Sequence, residues 1–235
     1  FAGGNDSLVV DPSVTVPVTV WAGDGADVVS IDATSLGNTV NGEGGDDYLG
    51  FGGKARGTLN GGDGADFLEH TGNEAVTLNG NAGDDVLAGS NGGDQLVGGD
   101  DNDQLRGLAG RYDGGTGDDL LEFTLDTDRV PTIAGGGGND RLHLTLTGAN
   151  DRLALADSGA SAVTFTLNGI ARPTTGVEIW VIDALTGADE LTVGWLSAQT
   201  GVTEVTIDLG VGNADTVTVL GSAQADAFTL GYETR

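Results

Sequence analysis

Apolar residues along this chain come in short bursts, separated by intervals rich in glycine and aspartate. In copy after copy an apolar residue stands two places beyond an Asp, as in GGDGADFL ending at Leu68 and GNAGDDVL ending at Leu87. That apolar residue starts a short strand and points inward, with alternating polar residues on the outer face. The β-branched runs at 14–20 and 202–207 read the same way. The pattern predicts many short strands joined by tight turns. No apolar stretch approaches the ~18 residues of a membrane-spanning helix.

The bursts belong to one internal repeat, Gly-Gly-x-Gly-x-Asp-x-apolar, with Asn, Asp or Ala commonly preceding the Asp. Clear copies read AGDGADVV, GEGGDDYL, GGDGADFL, GNAGDDVL, GSNGGDQL, GGDDNDQL, GGTGDDLL and GGGGNDRL. A truncated GGNDSL opens at Gly3, and a degenerate GANDRL ends at Leu153. The key aspartates of the better copies are Asp6, Asp27, Asp47, Asp66, Asp85, Asp94, Asp103, Asp119 and Asp140, separated by 21, 20, 19, 19, 9, 9, 16 and 21 residues. The degenerate copy adds Asp151. A flattened all-β solenoid accounts for both spacings: about 19 residues make one coil of two strands and two turns, and 9 make half a coil. Both turns then carry the motif between Asp85 and Asp103. Elsewhere the opposite turn is a looser loop, as at 34–37 and 71–73.

Composition sharpens this picture. Glycine fills 43 of 235 positions, well above the usual ~7 %. Acidic residues outnumber basic ones 36 to 9, a net charge of −27. Nucleic acid and anionic membrane surfaces would repel such a chain. Hydrophobic residues still make up 38 %, so a core is possible, though a thin one with few aromatic rings. There is no cysteine, so disulfides contribute nothing to stability. No Met and no leader are visible at Phe1, and the chain opens inside a motif, as expected of a processed chain or a piece of a longer one.

The residue types in the motif suit a hard divalent cation. Glycine at the first, second and fourth places permits positive φ and carbonyls aimed inward. The Asp supplies a carboxylate oxygen, and stacked turns bring in carbonyls from the next coil, toward the six or more oxygens that calcium takes. Magnesium fits less well, because it demands tight octahedral geometry and keeps its waters. The metal-ligand candidates are therefore the ten aspartates from Asp6 to Asp151 named above. The alternative is a set of plain turns with solvated carboxylates. Electrostatics oppose it: carboxylates stacked ~4.8 Å apart repel by about 3–4 kcal/mol at an effective dielectric of ~20.

These motifs resemble the nonapeptide repeat of the RTX (repeats-in-toxin) family over roughly residues 3–155. The resemblance implies a calcium-bound parallel β-roll, secretion from a bacterial cell and folding triggered by external calcium. The array departs from the family in its 19–21 spacing, and Asn81 and Asp101 stand where the motif wants glycine. Not every site need then be filled.

After Asp151 the motif thins. Residues 156–175 look like an excursion, with a strand at Ala162–Leu167 and a break at Pro173. Then GVEIWVIDALTGADELTVGW from Gly176 matches GVTEVTIDLGVGNADTVTVL from Gly201, and GSAQADAF follows at Gly221. Asp189, Asp215 and Asp226 occupy the Asp place with little glycine support. The division expected is a calcium-binding roll over 1–155 and a divergent β-repeat region over 156–235. The second region either continues the solenoid, with or without metal, or forms a separate small sheet.

No catalytic pattern emerges. His70 and His143 lie outside any triad or metal-ligand spacing, and His143 reads as a surface strand position. Lys54 and Arg56 form a small basic spot on a loop, and Trp21, Trp180 and Trp195 read as core or coil-end packing. The leading function is a non-catalytic, calcium-stiffened structural element of the bacterial exterior: a stalk, fibre, surface-layer or adhesin element that self-associates or continues into neighbouring repeats. The alternative is an accessory repeat module of a larger secreted hydrolase, epimerase or toxin. Glycan or ice binding ranks last, since ice would want a regular threonine ladder.

Overall fold

The structure is a computed structural model, and it describes residues 3–125, 129–159, 161–211 and 214–220. The expected tail copy with Asp226 lies outside the described residues. Strands follow one another with hardly any helix between them. They are β1 (Ser7–Val10), β2 (Thr19–Asp24), β3 (Val28–Ile31), β4 (Asn38–Gly44), β5 (Tyr48–Phe51), β6 (Gly57–Asp63), β7 (Phe67–His70) and β8 (Thr77–Ala82). Next come β9 (Val86–Ser90), β10 (Gln95–Asp100), β11 (Gln104–Leu108), β12 (Arg111–Thr116), β13 (Leu120–Thr124), β14 (Thr132–Gly137) and β15 (Arg141–Thr145). The chain continues through β16 (Arg152–Gly159), β17 (Ala162–Leu167), β18 (Ile170–Thr175), β19 (Ile179–Asp183), β20 (Glu190–Val193), β21 (Glu204–Asp208) and β22 (Thr216–Val219).

Up to β15, odd strands stack in parallel in one sheet and even strands in another, so each coil contributes one strand to each. This is a parallel β-solenoid. Its core is two facing ladders of inward side chains. Val29, Leu49, Leu68, Leu87, Leu105, Leu121 and Leu142 are register partners down the odd sheet. Val20, Val40, Leu59, Leu78, Leu96, Tyr112 and Ile133 are partners down the even sheet. All are buried, each worth about 1.5–3 kcal/mol on the hydrophobic scale. The apolar residue two places after each Asp is the one that enters this core.

The excursion after Asp151 is real, but it lies within the even sheet. Strands β16, β17 and β18 form an antiparallel meander; β18 pairs with β14 in parallel, and β16 receives β20 on its far side. Phe165 packs its ring edge-on against buried Trp180 at 5.8 Å, which fastens the meander to the core. Pro173 marks no break: it sits inside β18, opposite Thr164. Strands β19 to β22 then extend the same two sheets. Of the three tryptophans expected to pack, only Trp180 is in the core; Trp21 and Trp195 are more than half exposed.

Candidate metal centre

The turns from even to odd strands form one edge of the solenoid, and the repeat motif lies along it. Its second and fourth places bend the backbone into the left-handed region: Gly62 and Gly64 both have φ near +133°. Asn81 (φ 84°) and Asp101 (φ 75°) stand in for glycine and keep the same sense of turn, as short polar side chains can. The first glycine serves a different purpose from the one its position suggested, since no positive φ is needed there. A side chain at Gly61, Gly80, Gly98 or Gly114 would collide with Oδ2 of the Asp five places on and with a carbonyl of the next coil. At Gly80 these are Asp85 Oδ2 and the Gly98 carbonyl oxygen. The first full copy has Ala22 in this place.

Eight of the ten aspartates singled out from sequence come together in one column. The backbone N–H of Asp6 donates to Asp27 Oδ1 at 2.7 Å, Asp27 to Asp47 at 2.7 Å, and Asp47 to Asp66 at 2.8 Å. Asp66 donates to Asp85 at 2.8 Å, Asp85 to Asp103 at 2.9 Å, Asp103 to Asp119 at 2.8 Å and Asp119 to Asp140 at 2.9 Å. Asp140 donates to Glu178 Oε2 at 2.9 Å, so a glutamate takes the aspartate's place in the following coil. Glu178 was missed because its turn, PTTGVE, keeps a single glycine, Gly176, and carries Glu in place of Asp. The surviving signal is an acidic residue two places before the inward Trp180.

A second ladder runs outside the first and in the opposite sense. Ala65 N–H donates to Asp46 Oδ1, Asn102 to Asp84, Asp118 to Asn102 and Asn139 to Asp118, at 2.8–3.0 Å. This accounts for the Asn or Asp that so commonly precedes the key Asp.

Every inner carboxylate from Asp27 to Asp140 spends Oδ1 on that ladder and leaves Oδ2 buried with no hydrogen-bond partner. Burial, partly offset by the backbone N–H donated to Oδ1, pushes the carboxyls of Asp66, Asp119 and Asp140 up to about 6, Asp85 to about 7 and Asp103 to about 8. An ionised carboxylate oxygen in such a place needs a proton or a cation. The donor set fits calcium. Each glycine cradle presents a partnerless carboxylate oxygen beside a backbone carbonyl of the next coil, and calcium takes oxygen ligands of both kinds. No group of three acidic or histidine side chains converges among the described residues. Carbonyls must therefore supply much of any coordination shell.

A scan against protein-family models matches the RTX calcium-binding nonapeptide repeat in four copies, over residues 71–105, 79–113 and 132–145. The chain carries RTX calcium-binding repeats. No curated protein and no solved structure matches it. The matched RTX segments contain Asp85, Asp94, Asp103 and Asp140, and the inner ladder continues well beyond them toward the N-terminus.

Asp94 and Asp151 stand apart from the RTX column, on the opposite edge. Asp94 Oδ1 accepts from Val76 N–H, and its Oδ2 accepts from the N–H groups of Ser90 and Asn91 and lies 2.8 Å from His70 Nδ1. His70 is fully buried, in register with Phe51 of the core. Asp151 Oδ1 accepts from Asn168 Nδ2, and Oδ2 accepts from Thr147 N–H and Oγ1. Both carboxylates already have protein donors on each oxygen. His143 lies half-buried on the outer face of the odd sheet, between Glu122 and Asp183. Arg56 of the basic spot pairs with Glu74.

Proposed function

We propose that the chain is a non-catalytic structural element of the bacterial cell exterior, a stalk, fibre, surface-layer or adhesin segment that calcium folds and stiffens. The uninterrupted aspartate column from Asp6 to Asp140 supports this reading. A cation along the column joins each coil to the next, so stiffness accumulates along the axis. At a site affinity near 10⁻⁴ M and ~1 mM external calcium, each ion adds roughly 1.4 kcal/mol. Half a dozen such ions match the ~5–15 kcal/mol stability of a whole domain. Inside a cell, where free calcium is scarce, the column would repel itself and delay folding. Secretion ahead of folding follows from the same electrostatics.

Far-UV circular dichroism during a calcium titration of chelator-treated protein tests the reading. The expected result is a coil-to-β transition at sub-millimolar to millimolar calcium that magnesium does not reproduce. A β-spectrum indifferent to chelator would overturn it. Self-association belongs to the same proposal, and light scattering after size exclusion in calcium checks it; a strict monomer would count against assembly.

A further inference from the structure

Among the described residues the first column has no carboxylate after Glu178: Thr203 takes the next place, and its N–H donates to the Glu178 carbonyl at 2.8 Å. At the same level the opposite edge acquires them. Asp151 N–H donates to Asp189 Oδ1 at 2.8 Å, and Asp189 N–H donates to Asp215 Oδ1 at 3.0 Å. The outer ladder is present too, since Ala188 N–H donates to Asn150 Oδ1 at 2.9 Å. Asp189 is 1 % exposed, and its Oδ2 is buried with no hydrogen-bond partner. The Ala149 carbonyl faces Gly187 (φ 149°), where a side chain would otherwise project. The adjacent cation, Arg152, is engaged by Glu190 at 2.9 Å on the exposed surface.

We propose that Asp189, flanked by Asp151 and Asp215, forms a calcium site on the opposite edge, so that the line of bound cations changes sides at the β16–β18 meander. The inference rests on the calcium reading above and extends it to turns that lie outside the matched repeats. It carries a structural consequence. Calcium would brace one edge of the solenoid through the first coils and the other edge through the last ones, with the meander at the crossover.

The test counts calcium bound to the full chain by equilibrium dialysis, in the wild type, Asp189→Asn and the column variant Asp85→Asn. Both variants are expected to bind less than the wild type. Loss in Asp85→Asn with an undiminished count in Asp189→Asn overturns the second edge and leaves the column intact. A wild type that binds no calcium overturns both. Hydrogen exchange of the wild-type protein covers the case in which Asp189→Asn fails to fold. Calcium is expected to slow exchange in β20 and β22 as it does in β5; slowing confined to β5 overturns the proposal.

Discussion

The backbone N–H of Asp85 donates to Oδ1 of Asp103, 2.9 Å away and one coil further along the chain. The same Asp103 side chain keeps its other oxygen buried and without a hydrogen-bond partner. One carboxylate thus ties two coils together and stores a buried charge. The first role favours the fold, and the second opposes it until a proton or a cation arrives.

These two roles separate in Asp103→Asn. The amide oxygen can still accept from Asp85, and Nδ2 would face the Gly114 carbonyl that shares the cradle. In chelator at about pH 8 the variant is expected to be more stable than the wild type, because the buried charge is gone. In saturating calcium it is expected to be less stable. Urea midpoints under both conditions check this, and a shift of the same sign in both would count against a cation at Asp103.

Stability should depend on pH in opposite senses with and without metal. The carboxyls of Asp66, Asp85, Asp103, Asp119 and Asp140 rise from the unfolded value of ~3.9 to between about 6 and about 8. A raised folded value means that the contribution is fully present below about pH 4 and lost as pH climbs through about 6 to 8. Chelated protein should therefore melt at a higher temperature at about pH 5.5 than at about pH 8.5. Calcium binding should weaken over the same descent, since protons compete for the same oxygens. Thermal melts and calcium titrations across this window read both.

Backbone geometry makes a sharper mutational contrast than packing. Gly115 has φ 119°, and a methyl group there would meet the Gly99 carbonyl of the neighbouring coil. Gly115→Ala is expected to cost about 1–3 kcal/mol. Gly137→Ala, where a methyl group would meet nothing within 4 Å, should be close to silent. Equal losses in both variants would contradict the turn geometry.

Asp94 should act without calcium. Replacing it with Ala strips the acceptor from the N–H groups of Val76, Ser90 and Asn91, at about 1–3 kcal/mol for each buried group left unsatisfied. The urea midpoint in calcium is expected to fall while the number of bound ions stays unchanged. A lower ion count in Asp94→Ala would make Asp94 a ligand after all.

The repeat was legible because its instructions are local. A glycine, Asn or Asp at a left-handed position sets a turn within its own few residues, and the apolar residue two places past Asp sets which face begins the strand. Hence the solenoid, the coil length near 19 residues and the half-coil at Asp94 can all be read by counting. Local pattern did not reveal His70 as a core residue, although it sits at the inward parity two places after Leu68. Asp94, 24 residues later, supplies the buried ring with a partner at Nδ1.

The strand-and-turn rhythm, the recurring Asp and its calcium chemistry can be read from the chain alone, since each depends on residues within one motif. Only the three-dimensional structure placed Asp151 on the edge of Asp94, made Glu178 the last carboxylate of the first column among the described residues, and joined Asp189 to Asp151 and Asp215 on the other edge. Those outcomes depend on how many strands each coil contains. The β16–β18 meander inserts strands that pair antiparallel within the even sheet, and pairing between distant segments leaves no local mark on the residues it brings together.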